Sequence, residues 1–495
     1  MHSQTNKISR ALAALLSLTA ALLGAQPASA AVPGISGTSF SLTASAEYAS
    51  QPDGASIYSW GYGCSNGYVP SFVPAGMVNA NCPLMQIPGP TMVVKEGDTV
   101  TVTLTNGLPL AAGNTSIMFP GFEVVATGGV DGVLAKEAIT GGTVTYTFKA
   151  TKPGTYSYYS GSQADVQVPM GLYGAVIVLP ATAQTCVSVN ATPNPMSLAR
   201  SAYNNAGTCY DREYLFQLSE IDVRLNSAVQ AAVAACPAAP CPALNVPTEP
   251  FMPQYYLING RSLPDVLDLP YSPGLVRQPY NANPHIHPGE LMLIRLIGQG
   301  RYQHPLHIHG NHARVLAFDG NLLIAKNDLL TDPAARLAGP LLFTLTSVSG
   351  QSMDSIYTWT GQGLNWDVYG MSTPHTCNAK PLPASPNDPV AQSSGFDPVT
   401  HEYCPDHGKI FPVTPPDPAI VANGLWYGGT PYMGLQQNNT TPLPPGANVQ
   451  NPDAGYAFPW HSHDEREITT NNVFPGGLMT IMLVDPPSAV IDESK

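Results

Sequence analysis

Residues 458–463 read FPWHSH and lead into PGGLMTIMLVDP at 475–486. Much earlier, YSYYSG at 156–161 leads into MGLYGAVIVLP at 170–180. Each time an aromatic stretch is followed by a Gly-containing break and an apolar run. Two more segments repeat in step. IPGPTMVVKEGDTVTVTLTNGLP (87–109) enters an alternating stretch through Gly97-Asp98, as PHIHPGELMLIRLIGQG (284–300) does through Gly289-Glu290. IMFPGFEVVATGGVDG (117–132) parallels HIHGNHARVLAFDG (307–320), with Gly121 opposite Gly310 and Asp131-Gly132 opposite Asp319-Gly320. Three matches in one order mark an internal repeat, and alternation with period two marks its segments as strands. The expectation is an all-β chain with two copies of one β-sandwich domain, residues 36–182 and 208–488.

Composition agrees. With 45 Gly and 50 Pro among 495 residues, and few segments of helical period, the chain suits strands joined by long loops. The second copy is the longer one. Its excess lies in the Ala/Pro-rich stretch 226–248, where a short helix could precede a cysteine pair, and in 370–455, rich in Pro, Asn and Gly. The latter reads as a long surface insertion or lid, and more simply as a disulfide-pinned loop without function of its own.

The first 30 residues look like a processing segment. Lys7 and Arg10 precede the apolar run ALAALLSLTAALLGA, and Ala28-Ser29-Ala30 forms an A-x-A cleavage site. The run is too short to span a bilayer, and no later segment is apolar enough, so an exported protein, periplasmic or extracellular, is expected. Both basic residues of that segment count among the chain's 20, against 33 acidic ones, which leaves a mature chain of 18 against 33. Such a surface suits neither nucleic acid nor anionic lipid. The eight cysteines, Cys64, Cys82, Cys186, Cys209, Cys236, Cys241, Cys377 and Cys404, all follow the leader. An even number in an oxidising compartment reads as four disulfides, and pairing of sequence neighbours is one connectivity among several.

Apart from His2, every histidine lies at or after residue 285. His304-Pro-Leu-His307-Ile-His309 is an H-x-x-H-x-H run and His461-Ser462-His463 a later H-x-H. On a strand, H-x-H turns both imidazoles to one face. If the sandwich brings the two strands together, four imidazoles converge on a site suited to copper. A third pair, His285-Ile-His287, reads as an exposed pair at a strand entry. Around His375, Cys377, His401, Cys404 and His407 the spacing resembles a metal site, although a Cys377–Cys404 disulfide is the simpler reading. Asp464, Glu465 and Glu467 follow the last H-x-H and could orient imidazoles or attract a cation. The aromatics of 58–63 and 156–159 read as sandwich core.

HPLHIHG followed by a late H-x-H and a Gly-Gly-Leu-Met strand resembles the copper-binding half of the multicopper oxidases, built from cupredoxin domains. The resemblance covers most of the chain outside the two insertions and is nearer to two-domain members. It implies Greek-key sandwiches, copper as cofactor, and dioxygen with a small reducing substrate as partners. In that family a type 1 copper takes electrons from substrate and passes them to a trinuclear cluster that reduces dioxygen. The resemblance gives His304 the place of a type 1 ligand and His307, His309, His461 and His463 the places of cluster ligands. Two departures stand out. Ser462 replaces the type 1 thiolate, and Glu467 stands where the second type 1 histidine belongs, leaving His304 and Met479 as remnants. In the first copy, Met118-Phe119-Pro120 and Tyr159-Ser160-Gly161 have lost both H-x-H pairs. The expectation is an exported copper-binding protein with degenerate sites, leaning towards a copper-dependent oxidoreductase. An oxidase completed by ligands from the lid or from a second copy in a homo-oligomer, and a non-enzymatic scaffold, stay open beside it.

Overall fold

The computed structural model describes residues 32–182, 184, 186, 200–330, 332, 335–370, 375–379, 395–410, 430–432, 455–487 and 489–492. The expected leader and most of the 370–455 insertion lie outside these residues.

The described residues are nearly all β and form two sandwiches of two sheets each. In the first, one sheet runs in the order Gly154–Tyr159, Tyr173–Leu179, Met92–Lys95, Gly34–Ser36, Ser71–Val73. Its partner runs Ser56–Cys64, Ser39–Ser50, Thr99–Asn106, Thr143–Lys149, Val124–Gly128. In the second, one sheet contains Tyr255–Ile258, Arg212–Ile221, Leu291–Gly298, Ser352–Thr358 and Ala313–Phe318. The other runs His285–Ile286, Met479–Val484, Gly455–Ser462, His304–His307, Thr344–Ser347.

The repeat is visible in the pairing. Ser39–Ser50 pairs parallel to Thr99–Asn106, as Arg212–Ile221 pairs parallel to Leu291–Gly298. Gly154–Tyr159 pairs antiparallel to Tyr173–Leu179, as Gly455–Ser462 does to Met479–Val484. Met118 bridges Tyr159 at the position where His307 faces His461. Alternation sets the first core: in TVTVTLTN, Val100, Val102 and Leu104 point inward while the threonines stay outside. Trp60, Tyr62, Tyr156 and Tyr158 are buried in that core, as the aromatic stretches suggested.

LMLIRLIG (Leu291–Gly298) is buried on both faces, because the first sandwich covers the side that its own sandwich does not. Val93, Ala175 and Ile177 of the first sandwich cluster there with Leu215 and Ile297. Within this contact Arg295 lies 2.8 Å from Glu213 and donates to Thr155 Oγ1 at 3.0 Å, and Thr155 in turn donates to Asp354 Oδ1 at 2.6 Å. Buried polar groups from both sandwiches thus satisfy one another.

The 226–248 insertion is not a loose surface loop. A helix spans Val223–Ala234, with the Asp222 side chain accepting from Arg224 N. It sets Leu225 and Val229, followed by Leu244 and Phe251, into the core of the first sandwich. The cysteines pair as sequence neighbours: Cys64–Cys82, Cys186–Cys209, Cys236–Cys241 and Cys377–Cys404.

Candidate metal centre

His304–His307 pairs antiparallel with Gly455–Ser462, setting His307 opposite His461 and Leu306 opposite Ser462. Side chains alternate, so His307 and His461 share one face of the sheet while Leu306 and Ser462 share the other, which is buried. His309 lies just past the strand. Its carbonyl accepts from Trp460 Nε1 at 3.0 Å and from Tyr357 OH at 3.1 Å. Gly310 follows at φ 100°, and the Tyr357 hydroxyl stands where a Cβ would be, so glycine is required for the turn.

The four histidines named as cluster ligands come together. Ring centroids lie 4.9 Å apart for His307–His309, 5.6 Å for His307–His461, 5.0 Å for His307–His463, 5.2 Å for His309–His461 and 5.9 Å for His461–His463. His309 Nε2 and His461 Nε2 face each other at 3.2 Å. Burial and the neighbouring imidazoles His309, His461 and His463 lower the pKa of His307 to about 4, so its ring is neutral near pH 7. His461 Nδ1 lies 2.8 Å from the Ser462 carbonyl, which can only accept. In the neutral ring that nitrogen carries the proton, and Nε2 keeps a free lone pair. His307 Nδ1 meets Thr344 Oγ1 at 3.0 Å, leaving Nε2 on the far side of the ring. The His463 side chain is 56% exposed, so the cluster is open to solvent there.

His304 does not join them. Three residues before His307, it points to the opposite face, where it is fully buried. Its Nδ1 lies 2.9 Å from Glu467 Oε1 and its Nε2 2.9 Å from Glu220 Oε2. Burial opposes the charge on this ring, but the two carboxylates outweigh it and raise the pKa to about 9. Both nitrogens are committed, which removes His304 from the expected ligand set. Ser462 Oγ donates to Glu467 Oε2 at 2.5 Å. One carboxylate therefore fills the space between the two side chains that the resemblance assigned to a type 1 copper. Sequence reading marked Glu467 as a departure but missed Glu220, a buried acid inside the apolar strand REYLFQLSEI. An acid in such a strand calls for a partner, and that was the available signal.

The remaining candidates separate. His285 Nδ1 lies 2.6 Å from Asp485 Oδ2. His287 is buried rather than exposed, with Nδ1 3.1 Å from Glu290 Oε1 and Nε2 2.8 Å from the Ala489 carbonyl. Glu465 lies 3.3 Å from His463 Nδ1, while Asp464 Oδ1 accepts from Arg466 N. Met479 is half-buried against the second core. The lid cysteines form a disulfide and offer no thiolate.

Four imidazoles on one face, one neutral by its surroundings and another with Nε2 left as acceptor, suit a borderline-soft ion such as copper. A metal about 2.0 Å from both facing nitrogens spans their separation at a tetrahedral-like angle. Residues 77–183 match the family described as Multicopper oxidase. A laccase of Aspergillus fumigatus is 41% identical over 98 residues, which cover 19% of this chain and 16% of that protein. An L-ascorbate oxidase of Nicotiana tabacum is 40% identical over 96 residues, covering 19% and 16%. A copper-containing nitrite reductase of Pseudomonas chlororaphis is 38% identical over 96 residues, covering 19% and 25%. The matched stretches thus span well under two thirds of these relatives. Among solved structures, a blue copper oxidase from Nitrosomonas europaea is similar at TM-score 0.45 and 16% identity, covering 90% of this chain and 85% of that one. Within the first sandwich, residues 77–183 are thus similar to multicopper oxidases.

Proposed function

We propose that this is an exported copper-binding protein whose centre is one ion held by His307, His309, His461 and His463, with no type 1 site. The observation that carries the second half is the Glu467 carboxylate lying between His304 Nδ1 and Ser462 Oγ. Copper, when bound, would supply one-electron redox chemistry. The chain's own part is to present imidazole nitrogens, that of His307 in a ring kept neutral by burial and its neighbours. The Ser462 carbonyl fixes the tautomer of His461, and Thr344 holds the ring of His307. The open side beside His463 admits a small molecule such as dioxygen or peroxide. Without a thiolate there is no electron entry of the family's kind, so the reading is a copper-binding protein with limited oxidative chemistry rather than a four-copper oxidase. The convergence of four rings favours this over a scaffold that only kept the fold.

Metal analysis of copper-loaded mature protein, with electron paramagnetic resonance and visible absorption, tests it. About one copper per chain is expected, as a normal copper(II) signal without an intense thiolate-to-copper band. An intense blue band, or three or more coppers per chain, overturns it.

A further inference from the structure

A second set of metal-type side chains lies in the described part of the lid and just before it. Asp367, His375, Glu402 and His407 each turn one ligand atom to a common point, and these atoms all lie within 4.8 Å of one another. His375 Nε2 is 3.2 Å from Glu402 Oε2 and 3.5 Å from Asp367 Oδ2. His407 Nδ1 is 2.6 Å from Glu402 Oε1 and 3.6 Å from Asp367 Oδ2. Four ligands bonded tetrahedrally at about 2.1 Å stand about 3.4 Å apart, so these spacings are close to those that a bound ion would set. Asp367 and Glu402 are buried, with side chains 1% and 3% exposed.

Two carboxylates facing one space out of water need positive charge between them. Glu402 Oε2 accepts no hydrogen bond of good geometry although it is buried. Asp367 is held in place from behind: Tyr369 N donates to its Oδ1 at 3.0 Å and Gly408 N to its Oδ2 at 2.8 Å. Three of the four residues, His375, Glu402 and His407, come from the two segments that the Cys377–Cys404 disulfide already joins.

We propose that Asp367, His375, Glu402 and His407 form a zinc site that clips the start of the lid to its 402–407 segment, separate from the four-histidine centre. Two nitrogens and two carboxylate oxygens make a four-coordinate set without thiolate, and all four positions are supplied by the chain, as in a structural zinc site. Two carboxylates also match the ion's double charge. The site closes a loop onto the sandwich, where Tyr369 OH donates to the Thr400 carbonyl at 2.6 Å and His401 Nδ1 lies 3.0 Å from the Gly289 carbonyl.

The test uses the full mature chain carrying His309→Ala and His461→Ala, so that zinc held by the other centre is not counted. The protein is stripped with a chelator, reloaded with zinc alone, desalted and measured by mass spectrometry. One zinc per chain is expected. Adding Glu402→Gln and His407→Ala should remove it, with the circular dichroism of the fold retained. Cobalt(II) loading of the parent protein gives a second readout, intense visible bands from a four-coordinate site, which needs no lid variant to fold. Absence of zinc and cobalt from the parent overturns the proposal, as does full zinc stoichiometry in the lid variant. Either result leaves the copper reading untouched.

Discussion

Ser462 donates to Glu467 Oε2 at 2.5 Å, and the other oxygen of that carboxylate lies 2.9 Å from His304 Nδ1. Glu220 completes the row at His304 Nε2. Together these side chains make a buried hydrogen-bonded chain in which an imidazolium is held between two acids. The charges are built into the core, so this row of side chains is structural machinery.

Replacing Glu467 with Ala should therefore destabilise the protein strongly. It leaves Ser462 without its acceptor and the His304 cation with one carboxylate, in a space closed to water. Breaking a buried pair in this way costs about 3–5 kcal/mol. Urea unfolding of Glu467→Ala measures it, and Glu467→Gln, which keeps hydrogen bonding to Ser462, should lose less. A loss below about 1 kcal/mol for the Ala variant would mean that the network is not compensating buried charge.

The same network sets a pH dependence. The folded pKa of His304 is raised from 6.5 to about 9, so its stabilising contribution is complete below pH 6.5 and disappears as pH rises through about 9. At 1.36 kcal/mol per unit, the difference between 9 and 6.5 corresponds to about 3 kcal/mol. The stability gap between wild type and His304→Gln should be large at pH 6 and smaller by roughly that amount at pH 10. Chemical denaturation at both pH values checks the sign, and a gap that widens with pH contradicts it.

A copper site of the blue type should be buildable at this row. In Ser462→Cys combined with Glu467→His, the bridging carboxylate is gone and a thiolate joins two imidazoles, the three strong ligands of a blue copper site. Copper loading of that double variant is expected to give an intense visible charge-transfer band. Ser462→Cys alone should not, because Glu467 still occupies His304 Nδ1. A colourless, copper-loaded double variant would show that the strands no longer place these side chains around one point.

Much of this was readable from the chain because period-two alternation is a local property. The repeat fixed which strands were equivalent, and His-x-His fixed the shared face of each pair, so His307, His309, His461 and His463 could be named without coordinates. His304 took its place apart from these four, as a type 1 remnant, from the family resemblance alone; its H-x-x-H spacing puts it on the face opposite His307, where it shares Glu467 with Ser462. Glu220 and Asp367 were out of reach, since each meets its partners through long-range pairing that no spacing encodes. The helix from Val223 was foreseen only as a short one, but its packing on the first sandwich depends on Leu225 and Val229 meeting a distant core.

Thiol titration offers a simple check on the exported setting. All eight cysteines are paired, and the protein has no free cysteine among its described residues. Denatured, unreduced protein from an oxidising compartment should react with no thiol reagent. Two titrating thiols would mean that one bridge, with the lid pair the first to suspect, is open.

Removing the facing imidazoles tests the centre itself. His309 Nε2 and His461 Nε2 stand 3.2 Å apart on the outer face of the sheet, while the core beneath is built from Leu306, Trp460, Phe458 and Met482. The double change His309→Ala, His461→Ala therefore takes two of the four nitrogens away without opening a cavity in that core. His309 also holds its place through its backbone carbonyl, which Trp460 and Tyr357 still reach in the variant. Copper stoichiometry at this centre should fall from about one to zero, and the unfolding free energy should change by no more than about 1 kcal/mol, as expected for substitutions outside the core. A normal copper signal that survives the double change in protein also carrying Glu402→Gln and His407→Ala places the ion elsewhere and ends the assignment.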